Sequence, residues 1–513
     1  MGSRRGIGHT ERMGSASRDA RKGVTNADRS DRPSREEGAE LDENGVMTEA
    51  EIARRTVCSA ETKTAELGSG DNKIRVKYAF WTQRGYYPDD LNKANQDSFS
   101  ITHNFAGVKQ DSLFAIYDGH GRDGHDCADF AKRNLPTIQA RYLRQARIKK
   151  HKENLAKESG GAKQKGAFNP RLWPMLGKNE YESACRKSLL ETNKAMRKDD
   201  CDDTLSGTTV ISASFHDGRV VICNVGDSRA ILGSKFNKES ILAGASEEEK
   251  VEEKDEGVLA MKRQEVLKHI SNVDATEGEL LAIPLSQDQT PWRPDERARV
   301  RSCGARVMTV DQMEGIEPIH DNWGMVAGED IDTIGDPPRV WRPDEDFPGT
   351  AFTRSLGDFV AEELGVTAEP EIVTKEITSN DEILVIASDG VFEFITNQRV
   401  IDICSDSSDP LEACQRVVKE AYMQWLHFED RTDDITVIVL FMESEKSGGS
   451  EEMRATAELL SSAIKQGQTP MKSREEQEWI KGGRSNSMHG NNNEDALLAA
   501  RVTAGVEDNG KKL

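Results

Sequence analysis

The chain has 513 residues and a formal net charge of −21, so most of its surface would repel a polyanion, which excludes generic nucleic-acid binding. Its eight cysteines include no CxxC pair, which excludes a disulfide framework and a thiolate zinc site and favours a reducing, intracellular compartment. No apolar run approaches the ~20 residues that a membrane-spanning helix needs.

The two ends of the chain differ in composition from its middle. Aromatic residues are absent before Tyr78 and almost absent after Met442. We therefore predict a disordered N-terminal region over residues 1–70, one packed domain over residues 76–443, and a largely disordered C-terminal tail over residues 444–513.

Charged stretches interrupt the apolar pattern of this domain. A basic stretch covers residues 141–165 and an acidic one covers residues 247–256, and both predict solvated insertions, near residues 145–175 and 235–280. Within the C-terminal tail, two segments have helical character, residues 452–464 and 475–481.

Short apolar runs and period-two alternation dominate between residues 79 and 442. They predict strands, in chain order, over residues 99–101, 113–117, 208–215, 220–224, 229–232, 372–377, 383–387 and 436–441. Helical spacing predicts helices over residues 126–144, 181–198, 295–302 and 410–426. Many adjacent strands and few long helices favour an α+β layered domain over a doubly wound parallel sheet.

Two local patterns refine this prediction. The apolar run over residues 220–232 breaks at Gly226-Asp227, which predicts a tight connection between two antiparallel strands. In the last helix, apolar residues from Leu411 to Trp425 recur at helical spacing, which predicts a buried face.

Carboxylates lie at the ends of several predicted strands. Asp118 and Asp389 each follow a buried strand and precede a glycine, whereas Asp97 and Asp433 each precede a strand. Each alone is typical of a turn or a helix cap. As a set they predict a cluster of hard oxygen ligands, and a site without His or Cys ligands suits Mg²⁺ or Mn²⁺ rather than zinc.

Nine short motifs follow one another along the chain. They are Tyr86-Tyr87-Pro88, Asn95-Gln96-Asp97-Ser98, Tyr117-Asp118-Gly119-His120-Gly121, Ser206-Gly207-Thr208-Thr209, Asn224-Val225-Gly226-Asp227-Ser228-Arg229, Thr353-Arg354-Ser355-Leu356-Gly357-Asp358, Glu369-Pro370-Glu371, Ala387-Ser388-Asp389-Gly390-Val391 and Asp433-Asp434-Ile435-Thr436-Val437. In wording and order they resemble the metal-dependent protein serine/threonine phosphatase family, the protein phosphatase 2C type. The resemblance implies a sandwich of two antiparallel β-sheets flanked by α-helices, with a binuclear metal centre at one end.

The resemblance also implies roles for individual residues. Asp118 would bridge two metals, with the backbone carbonyl of Gly119 on one of them, and Asp389 and Asp433 would ligate the other. Three further positions have family roles in metal binding: Asp97 would hold metal-bound waters, and Asp227 and Glu393 fall where the family can hold a weaker third metal. His120 occupies the position of the family's general acid, and Asp358 would orient the site.

These parts predict hydrolysis of phosphoserine and phosphothreonine in proteins, without a phosphoenzyme. Two cations about 3.5–4 Å apart can bridge one water and lower its pKa from 15.7 toward ~7. His120 can protonate the departing alkoxide, a contribution of about 10²–10⁴-fold in rate. We expect a monomeric signalling enzyme whose partners are phosphoproteins.

The sequence departs from the family pattern at two places. Gln96 stands where glutamate is frequent, which could weaken the second metal unless water contacts suffice. The family's phosphate-binding arginine has no counterpart, because spacing puts Asn92 at that position. Arg84 and Lys93 are the candidates to bind phosphate, although each alone is typical of a surface charge.

Three alternatives remain on the sequence alone. Gln96 keeps open a pseudophosphatase scaffold that binds signalling partners. Cys223 and Arg229 fit the CxxGxxR core of cysteine-dependent phosphatases, but no histidine precedes the cysteine and Asp227 would bring a carboxylate into an anion cradle. His125 could be a further metal ligand, although its position favours a residue of the first helical turn.

The N-terminus bears on localisation. Gly2 raises the question of myristoylation, but Gly6 stands where Ser or Thr is preferred, and Arg4 and Arg5 provide only a slight attraction to a membrane. The sequence therefore favours the cytoplasm or the nucleus.

Overall fold

A computed structural model describes residues 47–68, 70–158, 174–239, 275–320 and 337–465, with isolated positions between 241 and 273. In chain order the strands are β1 (Thr56–Cys58), β2 (Lys63–Leu67), β3 (Ile74–Gln83), β4 (Asp97–His103), β5 (Ser112–His120), β6 (Gly207–Thr208), β7 (Val210–His216), β8 (Arg219–Val225), β9 (Arg229–Lys235), β10 (Leu280–Pro284), β11 (Arg306–Met308), β12 (Arg339–Trp341), β13 (Pro348–Thr350), β14 (Leu356–Gly357), β15 (Glu371–Glu376), β16 (Asp381–Ala387) and β17 (Ile435–Ser444).

Helices of very different length connect these strands. In chain order they are α1 (Glu49–Arg54), α2 (Gly124–Glu158), α3 (Lys178–Met196), α4 (Pro294–Ser302), α5 (Val310–Met313), α6 (Phe359–Glu362), α7 (Asp389–Phe392), α8 (Asn397–Ser405), α9 (Pro410–Phe428) and α10 (Ser450–Lys465). In the described part of the chain, no helix combines the length and apolarity needed to cross a membrane.

The strands form two seven-stranded antiparallel sheets. The first has the order β1-β3-β17-β16-β9-β10, with β2 also on β3, and the second has the order β14-β6-β5-β7-β8-β15, with β4 on β5. Side chains such as Phe114 of β5 and Leu384 of β16 form one core between the sheets. The predicted α+β sandwich of antiparallel sheets flanked by helices is confirmed.

Helices cover the outer face of each sheet. Val400 of α8 and Val418 of α9 pack on the first sheet, and Ala131 of α2 and Leu189 of α3 pack on the second. The predicted buried face of α9 is confirmed, since its residues from Cys414 to Trp425 at helical spacing are buried. A smaller sheet, in the order β11-β12-β13, packs with α4 and α6 in a separate apolar cluster.

The N-terminal segment contradicts the prediction of disorder over residues 1–70. Residues 56–58 and 63–67 form strands that pair with β3, and Met47 and Leu67 are buried. These strands are mostly exposed, so their sequence is polar, and they are ordered because β3 satisfies their backbone hydrogen-bonding groups. Residues 1–46, including Gly2, lie outside the described residues.

The connection at Gly226-Asp227 also differs from its prediction. Strand β8 pairs with β7 and β15, whereas β9 pairs with β16 and β10, so these consecutive strands lie in different sheets. The chain therefore crosses between the layers at Gly226, whose φ of 113° favours glycine. A hairpin and a crossover have the same local pattern, because both need only a break between two apolar runs.

The first predicted insertion is partly regular structure. Helix α2 continues through the basic stretch to Glu158, because Arg147 is fully buried and binds Asp111 at 2.8 Å. The rest of that insertion, the acidic stretch and the helical segment at 475–481 fall largely or wholly outside the described residues. The helix predicted at 452–464 is confirmed as α10, whose Ala457 and Leu460 pack into the core between the sheets.

Candidate functional site

The four predicted carboxylates meet at one end of the sandwich. Asp97 begins β4 and faces Asp118 of β5 in the antiparallel register. Asp389 follows β16, and Asp433 precedes its partner β17. The pairing of these two strands brings the second pair of carboxylates to the same sheet end.

These carboxylates repel one another electrostatically. Burial raises the pKa of Asp118 well above its ordinary value, and so do the carboxylates of Asp389, Asp97, Asp433 and Asp227. The pKa of Asp389 rises to about 6, first through burial and then through Asp433. Asp118 and Asp389 nevertheless keep part of their surface open to solvent, so the cluster is accessible from outside the protein.

The cluster extends beyond the four strand ends. Burial raises the pKa of Asp227 well above its ordinary value, followed by repulsion from Asp389, Asp288 and Glu393. The structure thus brings Asp227 and Glu393 together next to Asp389. Asp288 had no signal in the sequence, and Arg229 binds it through Nε at 3.0 Å and a terminal nitrogen at 2.6 Å.

The hydrogen bonds of the Asp97 carboxylate indicate whether a cation fits this cluster. Its side chain is buried, and one oxygen accepts a hydrogen bond from Ser388 Oγ at 2.8 Å. Its Oδ1 is also buried and accepts no hydrogen bond from the residues that the structure describes. A buried carboxylate oxygen without a donor, within a group of repelling carboxylates, fits a hard divalent cation and its waters.

Two further residues organise the site. Asp434 is buried and accepts hydrogen bonds from the backbone amides of Gly85 and Gln96, both at 2.7 Å, which ties the β3–β4 connection to the start of β17. The Tyr87 hydroxyl donates to Asp433 Oδ1. Neither residue has a predicted role, although both lie in the quoted motifs.

His120 has a carboxylate partner and an aromatic neighbour. Its Nε2 lies 2.6 Å from Asp358 Oδ2, and its ring packs against the tilted ring of Phe352 with 4.1 Å between centroids. Asp358 approaches so closely that a Cβ on Gly207 would lie 2.1 Å from its Oδ2. Glycine at position 207 is therefore a steric requirement of the His120–Asp358 pair.

Comparisons with known proteins show the family of this chain. The sequence model of the family described as Protein phosphatase 2C matches residues 89–257 and 275–425. The chain is 34% identical over 364 residues to "Probable protein phosphatase 2C 35" of Arabidopsis thaliana, covering 71% of this chain and 83% of that protein. The chain belongs to the protein phosphatase 2C family.

Other proteins with this family name are more distant. "Probable protein phosphatase 2C 48" of Oryza sativa subsp. japonica is 28% identical over 355 residues, covering 69% of this chain and 81% of that protein. Among solved structures, a serine-threonine phosphatase 2C from Toxoplasma gondii matches with a TM-score of 0.46 and 15% identity, covering 75% of this chain and all of that one.

The two predicted phosphate-binding residues of this family member lie in different surroundings. Lys93 Nζ lies 3.7 Å from the centroid of the Tyr87 ring. Burial and then the charge of Asp433 raise the pKa of Asp434 to about 6, and the positive charge of Lys93 opposes this rise. Arg84 lies beside helix α1, with a terminal nitrogen 4.0 Å from Glu51 Oε1. Asn92, at the family's arginine position, is exposed. Lys93 is therefore the candidate that lies close to the carboxylate cluster.

Gln96 takes a structural role at the position where the family often has glutamate. Its side chain is buried, and Nε2 donates to the Gly121 carbonyl at 2.7 Å. Its backbone carbonyl accepts from the Gly119 amide at 3.1 Å. Gln96 thus supports the loop that carries Gly119 and His120.

The cysteine-phosphatase alternative is not supported by the geometry. Cys223 is buried in the core between the second sheet and its helices. The arginine that would bind phosphate, Arg229, instead binds Asp288 and Asn397. Cys127 is also buried, and His125 lies in the first turn of α2 with 42% of its side chain exposed.

A second group of carboxylates resembles a metal site by distance alone. Oxygens of Asp295, Glu296 and Glu371 lie within 4.8 Å of one another. Arginines already neutralise this group, since Arg293 binds Asp295 and Glu371, and Arg354 binds Glu296 at 2.7 Å. The pKa of Glu296 is accordingly about 2 despite burial. This ion-pair network does not need a cation to neutralise it.

Proposed function

We propose that this protein hydrolyses phosphoserine and phosphothreonine in phosphoproteins with Mg²⁺ or Mn²⁺ as its cofactor. The observation that carries the proposal is the convergence of four strand-end carboxylates, Asp97, Asp118, Asp389 and Asp433. The five largest influences on the pKa of Asp118 all raise it, and none is a positive charge. A phosphate dianion could approach such a cluster only after divalent cations had neutralised it.

The residues available to hold two cations are Asp118, Asp389 and Asp433, with the carbonyl of Gly119 and with Asp97 acting through water. Asp227 and Glu393 would hold a weaker third cation. Such ions, when bound, neutralise the phosphate and lower the pKa of a coordinated water. All-oxygen donors are the set that Mg²⁺ and Mn²⁺ prefer.

The other side chains act on the substrate. His120 would donate a proton to the departing serine or threonine oxygen, because these alkoxides are poor leaving groups. Asp358 accepts a hydrogen bond from His120 Nε2 and would hold the imidazole ring in place. Lys93 would bind a phosphate oxygen as a point charge, and Arg84 is the second candidate for this contact.

The alternative of a catalytically weak scaffold depended on Gln96. The contacts of this side chain with the Gly121 carbonyl account for a neutral residue at this position, so we favour the enzyme. Intact candidate ligands at Asp118, Asp389 and Asp433 also support activity.

A single assay tests the proposal. Purified full-length protein is incubated with a phosphothreonine peptide and Mn²⁺, Mg²⁺ or EDTA, and released phosphate is measured. We expect turnover with either cation and none with EDTA. Mn²⁺ binding without any phosphate release would favour the scaffold, and release that persists in EDTA would contradict the metal site.

A further inference from the structure

Arg55 is a buried arginine that lies outside the family match, which begins at residue 89. It directly follows helix α1, and only 3% of its side chain is exposed. Its Nε donates to Glu51 Oε1 at 2.5 Å. Removing such a cation from water is costly, so hydrogen bonds to its remaining donors must offset much of that cost.

Those donors bind both ends of one loop. The two terminal nitrogens of Arg55 donate to the carbonyl of Gly85 at 2.8 Å and to the carbonyl of Leu91 at 3.1 Å. The Arg55 carbonyl also accepts from the Arg84 amide at 2.9 Å. One rigid guanidinium therefore sets the separation between the two ends of the 85–91 loop.

This loop delivers one hydroxyl to the carboxylate cluster. Tyr87 lies within it and donates to Asp433 Oδ1, a candidate metal ligand. The amide of Gly85, at the start of the loop, donates to Asp434. The contacts of Arg55 thus continue through the loop to Asp433, with Tyr87 as the last link.

We propose that Arg55 is a positioning residue that, through the 85–91 loop and Tyr87, orients Asp433 for a divalent cation. This inference rests on the proposed function, because it assumes that Asp433 is a metal ligand. It assigns a role in metal affinity to an N-terminal segment whose polar sequence predicts disorder. A carboxylate restrained by a neighbouring hydrogen bond is better organised for a metal, and losing such a partner typically lowers affinity by about 10–100-fold.

The experiment measures Mn²⁺ binding to the full-length protein by calorimetry, together with the melting temperature. Arg55→Lys keeps the charge but places all donors on one nitrogen, so one of the two carbonyl contacts is expected to be lost. We expect its Kd for Mn²⁺ to rise by about tenfold. Tyr87→Phe removes only the hydroxyl and should raise the Kd similarly. The variant with both changes should have a Kd for Mn²⁺ no higher than that of the single variant with the higher Kd, because both changes break the same chain of contacts.

Arg147→Lys is the matched control. Arg147 is equally buried and binds Asp111 and the Ala106 carbonyl, but Asp111 lies beside the opposite end of β5 from Asp118. This variant should lower the melting temperature and leave the Kd for Mn²⁺ unchanged.

The outcomes separate the inference from the proposed function. An unchanged Kd in Arg55→Lys or in Tyr87→Phe, with normal binding by the wild type, would overturn the role of Arg55 alone. Multiplicative losses in the double variant would overturn the route through Tyr87. A wild type that binds no Mn²⁺ would overturn both proposals. If both single variants raise the Kd for Mn²⁺ as expected but the wild type releases no phosphate, the Arg55 role is supported and only the proposed function is contradicted.

Discussion

His120 Nε2 lies 2.6 Å from Asp358 Oδ2, although 238 residues separate them in the chain. An ionised carboxylate can only accept a hydrogen bond, so this contact holds a proton on Nε2 and restrains the imidazole. The Phe352 ring packs against the imidazole at 40° between the two planes. Because Asp358 binds Nε2, Nδ1 is the ring nitrogen that would donate the proton in the proposed general-acid role.

The first prediction concerns the leaving group. His120→Gln should slow hydrolysis of a phosphoserine peptide by about 10²–10⁴-fold, because the alkoxide must gain a proton as its bond breaks. Hydrolysis of nitrophenyl phosphate should change much less, because nitrophenolate leaves without a proton. The measurement is the ratio of the two rates at saturating Mn²⁺. Asp358→Asn should change the ratio in the same direction, and His125→Gln, at a partly exposed position in the first turn of α2, should not change it. Equal losses on both substrates would contradict the general-acid role.

The second prediction concerns the candidate metal ligands. Asp389→Asn should lower turnover at limiting Mn²⁺ by about 10²-fold or more, since several kcal/mol of charge stabilisation depend on the cations. The same change at Asp118 or Asp433 should have the same effect while the fold stays intact. Asp295→Asn is the control, because arginine neutralises that carboxylate. Full turnover by Asp389→Asn would refute the site.

The third prediction concerns pH and stability without metal. The pKa values of Asp389 and Asp434 are about 6 in the folded protein, above the ordinary unfolded value of ~3.9. The folded state therefore binds more protons than the unfolded state between these values, and the free energy of unfolding in EDTA should rise as the pH falls from about 7 to about 4.5. Urea unfolding at several pH values measures this slope.

Variants provide the control for that slope. Asp389→Asn should flatten it and raise the stability at pH 8, because one repelling charge is removed. Carboxyl groups whose folded pKa is lowered, such as Glu296 at about 2, stabilise the protein above pH ~4.5 and lose this effect only at lower pH. A slope of the opposite sign between pH 7 and 4.5 would contradict the carboxylate cluster.

The fourth prediction separates metal-dependent from thiolate chemistry. Cys223→Ser should retain near-normal turnover, because this thiol is buried in an apolar core away from the carboxylates. Iodoacetamide should have little effect on turnover, and EDTA should abolish it. The measurement is phosphate release after each treatment. Turnover that resists EDTA and is lost on alkylation would support the cysteine mechanism instead.

Much of the fold could be predicted from local patterns. The predicted strands over residues 113–117 and 383–387 lie inside β5 and β16, because a buried strand needs a continuous apolar run. Asp118 and Asp389 could be named because an Asp-Gly pair after such a run marks a strand end that can approach an ion. Their convergence now has structural support, whereas the roles assigned to them stay predictions.

Strand partners could not be predicted in the same way. The break at Gly226-Asp227 predicts a turn equally well for a hairpin and for a crossing between sheets, and only the pairing of β9 with β16 decides between them. The contacts of Asp288 and Tyr87 with the site could not be predicted either, because their partners are distant in the chain.

The N-terminal segment shows the physical limit most clearly. Strands β1 and β2 contain few apolar residues, so composition alone predicts that burial cannot offset their ordering entropy. Their stability comes from backbone hydrogen bonds to β3 and from the contacts of Arg55 with the 85–91 loop. Apolar periodicity is a property of neighbouring residues, and the sequence displays it directly. Backbone pairing and buried polar contacts depend on which distant groups meet, and only the tertiary structure determines that.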